Sequence, residues 1–354
     1  MMRKSAWQAF VSHTILLLGM VGVLLSCEHR PLLDPYNVHY IRVYIDEQIK
    51  NVTYGFYDES RNRPTYERPR ILRIVLTEPV TGNIVTERYL QSTGEDERGY
   101  YIDGYIAAKE GEYNLMVYNF DTEKTFVRND RQFYDMTAYT SSVSNGYYQY
   151  FPTVSSQLAE PEIRYIPDHF FLVSCQPIEI QKNVAIDTLR TNEGDFFTAA
   201  PLTLSYYLQI RIKGLEYVSS AVSLLSGMAG SATLYDRRMV ADDAVSLFFT
   251  MEYTDVKRSR DADCSSAVLY TTFNTFGKLP DEPTIYTLNL EFMRTDGTTQ
   301  VETIDITSMF DTPLVRDERW ILLEHEIEIA PPLDGGGMTP DVEEWSDVWS
   351  DIQI

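Results

Sequence analysis

VHYIRVYID, residues 38–46, alternates apolar and polar side chains residue by residue. Alternate residues of an extended chain point to opposite faces of a sheet. A stretch with this period of two therefore predicts a β-strand with one dry face and one wetter face. The aliphatic side chains share the first face and the tyrosine and arginine side chains share the second: Ile41, Val43 and Ile45 against Tyr40, Arg42 and Tyr44.

The same period of two recurs along most of the chain. It is read in residues 70–77, 84–86, 111–119, 202–213, 245–256, 267–276, 285–294, 301–306 and 320–329. Thr81-Gly82-Asn83 predicts a turn between two of these strands. Asp-Gly within residues 295–298 predicts a hairpin, since this pair suits a tight turn between alternating runs.

Helical patterns are few. Residues 217–225 predict one short helix ended by Gly227 and Gly230, and the stretch from about 128 to 200 fits no regular pattern. Many short strands with turns between them and few helices predict an all-β protein made of antiparallel β-sandwiches.

The chain length favours two domains over one. A polar stretch at residues 191–195, TNEGD, places the predicted boundary near residue 200, with domains over 36–200 and 201–332. Pro331-Pro332 ends the last strand, and residues 333–354 hold a glycine joint, 335–337, followed by an acidic tail.

The tail is unusual because it carries two tryptophans, and disordered tails are poor in aromatic residues. We therefore expect it to dock, either on the chain's own second domain or on another subunit. As a strand it would present one face, the candidate donated strand, and as a helix one apolar stripe. The strand face holds Val348, Ser350, Ile352 and Ile354, and the helical stripe holds Val342, Trp345, Val348, Trp349 and Ile352.

The N-terminus has the order of an export signal. Arg3 and Lys4 precede an apolar run that ends at Leu24-Leu25-Ser26-Cys27. These four residues match a bacterial lipobox, which predicts cleavage of residues 1–26 between Ser26 and Cys27. Cys27 is then acylated, and residues 27–35 form a tether. Two or more acyl chains on one residue are sufficient for stable membrane attachment.

Removing the leader leaves 28 basic and 52 acidic residues, a net charge of −24. Such a chain repels phosphate backbones, so no nucleic acid partner is predicted. Cys175 and Cys264 could form a disulfide in an oxidising compartment or remain buried thiols.

Several motifs in order resemble one known family. They are EHRPL at 28–32, GEY at 111–113 with YNFD at 118–121, GLEYV at 214–218 with LSGM at 225–228, FNTFG at 273–277, and DVEEW at 341–345. The chain resembles the fimbrillin-like lipoproteins of Bacteroidota, which are related to the anchor and accessory subunits of fimbriae.

This resemblance implies two tandem transthyretin-like sandwiches of the fimbrillin type, in a pilus at the outer membrane whose subunits exchange strands. It also implies that polymerising subunits lose their first strand after cleavage at an arginine. An anchor subunit keeps that strand and its lipid. The candidate arginines are Arg61, Arg63, Arg68 and Arg70, which also fit a solvated basic loop. Surface-exported lipoproteins of this phylum often carry an acidic cluster after the cysteine, whereas this chain has only Glu28 there.

No catalytic residue, metal site or cofactor is predicted. His169 beside Asp168 lacks a nucleophile setting, and His325 fits a surface strand. The acidic clusters at 95–97 and 261–263 match no calcium loop, and Ser226–Gly230 fits a small-residue turn.

The sequence thus predicts a non-enzymatic outer-membrane fimbrial anchor or accessory subunit. Its partners are the membrane, through acylated Cys27, and other fimbrial subunits. The alternative is a surface glycan-binding lipoprotein of a polysaccharide-uptake system. Its contact loop would hold tyrosines that stack on sugars: Tyr134, Tyr139, Tyr147, Tyr148 and Tyr150.

Overall fold

The computed structural model describes residues 38–47, 68–143, 162–181, 188–253, 266–280 and 285–331. These residues form β-strands with one six-residue α-helix, so the predicted all-β class is confirmed. The strands are β1 Val38–Ile45, β2 Leu72–Thr77, β3 Ile84–Leu90, β4 Ser92–Asp96, β5 Gly99–Ala107, β6 Gly111–Asn119, β7 Thr125–Arg128, β8 Thr137–Thr140, β9 Glu162–Tyr165, β10 Phe171–Ile180, β11 Phe197–Pro201, β12 Leu204–Lys213, β13 Val218–Ala229, β14 Ser231–Thr233, β15 Ala244–Thr250, β16 Glu252–Tyr253, β17 Ser266–Thr275, β18 Thr287–Arg294, β19 Thr299–Asp305 and β20 Trp320–Glu328. The helix, α1, is Pro313–Glu318, and 3-10 turns lie at Phe133–Asp135, Leu215–Tyr217 and Thr307–Asp311.

The first sandwich is one eight-stranded sheet that folds over its own core, in the order β3-β2-β6-β10-β11-β1-β5-β4. β3 and β4 are separated by Gln91 alone, yet β3 pairs with β2 and β4 pairs with β5, at the two ends of the sheet. Alternate residues of β1, β2, β5, β6, β10 and β11 face one shared apolar core.

β1 lies inside this sheet rather than at its edge. It pairs antiparallel with β5 and parallel with β11. Ile41, Val43 and Ile45 are buried in the core, as the period of two predicts.

The second sandwich packs a four-stranded sheet, β16-β17-β12-β20, against a five-stranded sheet, β19-β18-β13-β15-β9. Most ladders between the described strands are antiparallel, as predicted. Three of these ladders are parallel: β1 with β11, β12 with β20, and β15 with β9.

A third core joins the two sandwiches, and we call it the junction core. It lies on the outer side of β2, β6 and β10 and includes residues from both halves of the chain. The small sheet β14-β8-β7 lies over it, with two strands from the first half and one from the second. Its buried residues are Val75, Met116, Tyr118, Phe133, Met136, Ala138, Phe170, Leu172, Leu202, Ala229, Ala232, Leu234 and Phe276.

Polar contacts also cross between the halves. Arg237 donates to the carbonyl oxygens of Leu172 at 3.3 Å and Pro201 at 2.6 Å, and burial lowers its pKa. Strand β9, from the first half, pairs with β15 of the second sandwich. The domain boundary near residue 200 stays a prediction, but these contacts tie the two halves together.

The helix predicted over residues 217–225 is wrong, because this segment forms strand β13 after the 3-10 turn at Leu215–Tyr217. The turn predicted at Ser226–Gly230 is also wrong. A bulge lies between Ser226 and Met228, where Gly227 takes a φ of 90° and the strand continues. The cause is that β13 is buried on both faces, which removes the period of two.

Both predicted turns are confirmed. Gly82 has a φ of 71° in the turn between β2 and β3, where its N–H donates to the carbonyl oxygen of Glu78. Gly297 has a φ of 78° between β18 and β19, and the Asp296 carboxylate there accepts the Thr298 N–H at 2.9 Å.

Arg73 is buried beside the junction core. Its guanidinium donates to the Tyr118 hydroxyl at 2.6 Å and to the carboxylates of Glu87 at 2.5 Å and Asp130 at 3.1 Å. A buried guanidinium with three partners fixes β2, β3 and the segment after β7 relative to one another. Burial raises the pKa of Tyr118 to about 12.

This raised pKa predicts a loss of stability at alkaline pH. An unfolded tyrosine ionises near pH 10, whereas folded Tyr118 stays neutral to about pH 12. Its contribution is therefore complete below pH 10 and is lost as the pH rises from 10 towards 12. Denaturant unfolding measures the free energy of unfolding at pH 9 and at pH 11. We expect this free energy to fall less between the two pH values in Tyr118→Phe than in the wild type. Equal losses would contradict the assignment.

Candidate binding surfaces

Several predicted site residues lie outside the described residues and stay predictions. They are Ser26 and Cys27 at the acylation site, the tail residues Val348, Ser350, Ile352 and Ile354, and the loop residues Tyr147, Tyr148 and Tyr150.

Tyr134 packs on the turn between β2 and β3. Its hydroxyl donates to the Pro79 carbonyl oxygen at 2.6 Å, and a Cβ on Gly82 would lie 2.8 Å from its ring. Its ring also meets Tyr235 edge-on, with centroids 4.9 Å apart. Tyr134 is partly exposed, but its ring packs against this turn.

Tyr139 belongs to a different cluster, on strand β8 of the small sheet. It pairs with Phe126 of β7, with ring centroids 6.0 Å apart, and the Arg128 guanidinium lies 5.6 Å from its centroid. The two described residues of the predicted tyrosine loop thus pack in separate aromatic clusters.

A tyrosine face that the sequence analysis did not single out covers the outer side of β1 and β5. Tyr40 lies opposite Tyr105 and Tyr44 opposite Tyr101, while Arg42 lies opposite Asp103 between the two pairs. The ring centroids of the pairs are 5.5 Å and 5.7 Å apart. We call these six residues the tyrosine face: Tyr40, Arg42, Tyr44, Tyr101, Asp103 and Tyr105.

Ion pairs and a glycine hold the tyrosine face in place. The Arg42 guanidinium lies 3.8 Å from the Tyr101 ring centroid and donates to the Asp96 carboxylate at 3.0 Å. The Tyr44 hydroxyl donates to the same carboxylate at 2.7 Å, and this hydrogen bond lowers the pKa of Asp96. Gly94 of β4 leaves room for the Tyr101 ring, because a Cβ there would lie 2.4 Å from it.

A surface pocket of about 510 Å³ opens beside this face, and we call it the Phe196 pocket. Its lining combines two aromatic rings with four charged side chains. The residues are Tyr44, Ile45, Asp46, Glu47, Arg98, Gly99, Asp195, Phe196 and Thr198.

Among the described strands, the two sheets of the second sandwich end at β16 and β20 and at β19 and β9. Among the described strands, β20 pairs only with β12 and β19 pairs only with β18. The Gln300 side-chain amide of β19 donates to the Glu328 carbonyl oxygen of β20 at 2.9 Å, so the two edges meet at one end. Edge strands of this kind can pair with an added strand.

The described members of the polar clusters considered in the sequence analysis have structural partners, and the acidic cluster at 261–263 lies outside the described residues. The Asp168 carboxylate accepts the N–H groups of Lys124 at 2.7 Å and Thr125 at 2.8 Å, while burial lowers the pKa of His169. Glu95 pairs with Arg68, which also pairs with Glu47. Across the described residues, no cluster of three or more His, Cys, Asp or Glu side chains could hold a metal ion.

Two of the four candidate arginines are described. Arg68 stacks near the Tyr100 ring, 4.8 Å from its centroid, and is held by its two carboxylates. The backbone N–H of Arg70 donates to the Asp121 carboxylate at 2.6 Å just before β2. Arg61 and Arg63 lie outside the described residues, as does Cys264. Cys175 lies half-buried in β10, where burial raises its pKa.

In the part of the chain that the structure describes, we find no helix with the length and apolarity needed to cross a membrane.

The alternation of residues 38–46 was the available signal for the tyrosine face, since it placed Tyr40, Arg42 and Tyr44 on one side. No pattern in the sequence indicated the Phe196 pocket. Arg98 precedes β5, whereas Asp195 and Phe196 precede β11, and only the sheet pairing brings these two segments together.

Residues 89–250 match the family model DUF5119, a domain of unknown function. The chain is 23% identical to a protein of Bacteroides ovatus named "Putative fimbrium anchoring subunit Fim4B", over 94% of each chain.

A solved structure has a similar fold. The crystal structure of a "putative adhesin" from Bacteroides ovatus gives a TM-score of 0.54 at 19% identity, over 88% of this chain and 99% of that one. The tip fimbrial protein Mfa3 of Porphyromonas gingivalis gives a TM-score of 0.34 at 10% identity, over 75% and 81% of the two chains. The similarity along nearly the whole chain to this putative fimbrium anchoring subunit of Bacteroides ovatus confirms the predicted resemblance to fimbrial proteins of Bacteroidota.

Proposed function

We propose that this protein is a non-enzymatic fimbrial anchor or accessory subunit that is held at the outer membrane by an acylated Cys27. We further propose that it engages other subunits by β-strand exchange. The observation that carries the proposal is the similarity to a named anchoring subunit over 94% of both chains.

The proposed anchor role requires β1 to remain in its sheet. Its core residues are buried and it pairs on both sides, so its removal would open a groove through the middle of the first sandwich. A polymerising subunit needs that groove, whereas an anchor has no use for it. The proposal therefore holds that β1 stays in place in the assembled fimbria.

The edges of the second sandwich support strand exchange. An added strand on β20 or β19 would gain backbone hydrogen bonds, while alternate side chains would supply specificity. β20 is the last described strand, and the proposed donor segment, residues 338–354, follows it in the sequence.

Membrane attachment is tested by Cys27→Ser. We expect the variant to lose labelled palmitate and to move from the membrane fraction to the soluble fraction, because no acyl chain holds it. Cys175→Ser is the matched control and should stay at the membrane. A Cys27→Ser variant that still fractionates with the membrane would contradict the lipid anchor.

Strand donation is tested by deleting residues 338–354 and measuring co-purification with fimbrial subunits. We expect the association to be lost. Two single variants then distinguish the possible conformations of the tail: Ile354→Lys disturbs only the strand face, and Trp345→Lys disturbs only the helical stripe. Loss of association in Ile354→Lys but not in Trp345→Lys supports a donated strand. Unchanged association after the deletion would contradict strand donation.

A further inference from the structure

We propose that the Phe196 pocket, together with the adjoining tyrosine face, binds a neutral carbohydrate. This site is separate from the edges proposed for strand exchange, since it lies on the outer side of the first sandwich. If this carbohydrate proposal is wrong, the proposed fimbrial role is unaffected.

The apolar part of the pocket suits a sugar ring. Phe196 is half-buried and meets Tyr44 edge-on, with ring centroids 5.8 Å apart. A pyranose has a C–H face that packs on an aromatic ring, while the edge of the sugar ring carries hydroxyl groups. Because the Arg190 guanidinium lies 4.1 Å from the Phe196 centroid, the sugar would pack on the part of Phe196 that lines the pocket. Tyr105, at the far end of the tyrosine face, is 57% exposed. A longer chain could therefore extend from the pocket along this face.

The polar part of the pocket offers both kinds of hydrogen-bonding group. Arg98 supplies guanidinium donors, and Asp46, Glu47 and Asp195 supply carboxylate acceptors. Sugar hydroxyls both donate and accept, so each can be satisfied on such a surface. The Arg98 guanidinium and the Asp195 carboxylate are 3.4 Å apart, close enough to contact neighbouring hydroxyls of one ring.

The charge balance selects a neutral ligand. Three guanidinium groups lie around the Phe196 ring: Arg190 at 4.1 Å from its centroid, Arg42 at 5.5 Å and Arg98 at 5.9 Å. Three carboxylates line the same pocket. These charges already have partners within the protein: Arg98 pairs with Asp195, Glu47 with Arg68, and Arg42 with Asp96. An ionic ligand would have to displace one of these partners, whereas a neutral polyhydroxyl compound can hydrogen-bond to the paired groups without displacing them.

The size and order of the site also suit a small ligand. The volume of about 510 Å³ lies within the usual range for small-molecule pockets, about 300–1,000 Å³. Its wall is already organised, because the Tyr44 hydroxyl and Arg42 are both bound to Asp96. Rigid side chains lose little entropy on binding, which favours affinity.

The test is affinity electrophoresis of the purified chain in native gels cast with neutral polysaccharides (a mannan, a xylan and a β-glucan) or with polygalacturonic acid. We expect retardation by at least one neutral polysaccharide and none by the acidic one. Phe196→Ala and Asp195→Asn should each weaken that binding about tenfold or more, the loss expected for one hydrogen bond to a charged group or one stacked ring.

Phe126→Ala is the matched control, because Phe126 is also a partly exposed phenylalanine but lies on the small sheet. It should bind like the wild type. If Phe196→Ala fails to fold, Asp195→Asn decides alone, since its side chain is 65% exposed and its loss leaves the core intact.

Three results would overturn the proposal: no retardation by any neutral polysaccharide, retardation by the acidic one instead, or unchanged binding in both pocket variants. Loss of subunit co-purification in these variants without glycan binding would identify the pocket as a protein interface and would equally refute it.

Discussion

Phe133→Ala is expected to lower the free energy of unfolding by about 3–5 kcal/mol, the usual cost of removing a buried phenylalanine ring. Phe133 is fully buried in the junction core. Its ring lies 5.4 Å from the Tyr134 ring and 5.8 Å from the Tyr235 ring, centroid to centroid. These neighbours are anchored to separate turns, so we expect little collapse around the cavity.

The same variant should destabilise both sandwiches together. The junction core contains buried residues from β2, β6 and β10 of the first half and from β13 and β14 of the second. Because one core serves both, we expect a single unfolding transition. Hydrogen exchange of the β12 amides reports on the second sandwich, and hydrogen exchange of the β6 amides reports on the first. Both should shift by the same free energy.

Phe126→Ala is the control for this measurement. Phe126 lies on the same small sheet but is 43% exposed, so its loss should change stability by less than about 0.5 kcal/mol. Two separate transitions, with Phe133→Ala affecting only one of them, would show that the sandwiches are independent.

Some elements follow from local pattern alone. β1 and β6 occupy almost the residues that the period of two indicates, because alternate residues of each strand face the first core. The outer face of β1 meets aromatic and polar neighbours, whereas the outer face of β6 places Met116 and Tyr118 in the junction core. The turn at Gly297 was equally clear, since a positive φ suits glycine and the Asp296 carboxylate accepts a nearby N–H.

β13 shows why pattern fails where both faces are buried. Ala221 and Leu225 pack in the core of the second sandwich, whereas Val222 and Leu224 pack in a cluster on the opposite face. Apolar residues at 218, 221, 222 and 225 then have the spacing of a helical stripe. The segment forms a strand because of its tertiary packing, which the local sequence does not encode.

The junction core and the Phe196 pocket were not predictable for a different reason. Val75 and Phe276 meet the same core although about two hundred residues separate them. In the pocket, Arg98 and Asp195 become neighbours because β5 and β11 both pair with β1. Such contacts depend on sheet order, and a single sequence carries no signal of that order.

Asp243→Ala is expected to lower the free energy of unfolding by about 3 kcal/mol, the second large effect. The Arg164 guanidinium contacts both oxygens of the Asp243 carboxylate, at 2.9 Å and 3.1 Å, and donates to the Gly230 carbonyl oxygen at 3.2 Å. The two side chains are only 12% and 15% exposed. Removing one partner of such a pair leaves a poorly solvated charge, which is costly.

Glu162→Ala is the matched control, because Glu162 pairs with the same guanidinium at 2.8 Å but its side chain is 50% exposed. An exposed pair contributes at most about 1 kcal/mol, so this variant should stay near the wild type. Denaturant unfolding of both variants measures the difference.

The double variant Arg164→Met/Asp243→Leu distinguishes the net contribution of the ion pair to stability from the cost of burying one unpaired charge. Replacing both partners with apolar side chains removes the unpaired charge, so we expect it to recover most of the stability lost in Asp243→Ala. Arg164 lies on β9 and Asp243 directly precedes β15, so the pair holds a first-half strand on the second sandwich. A double variant as unstable as Asp243→Ala would mean that the hydrogen bonds of this pair, rather than charge burial, hold β9 on β15.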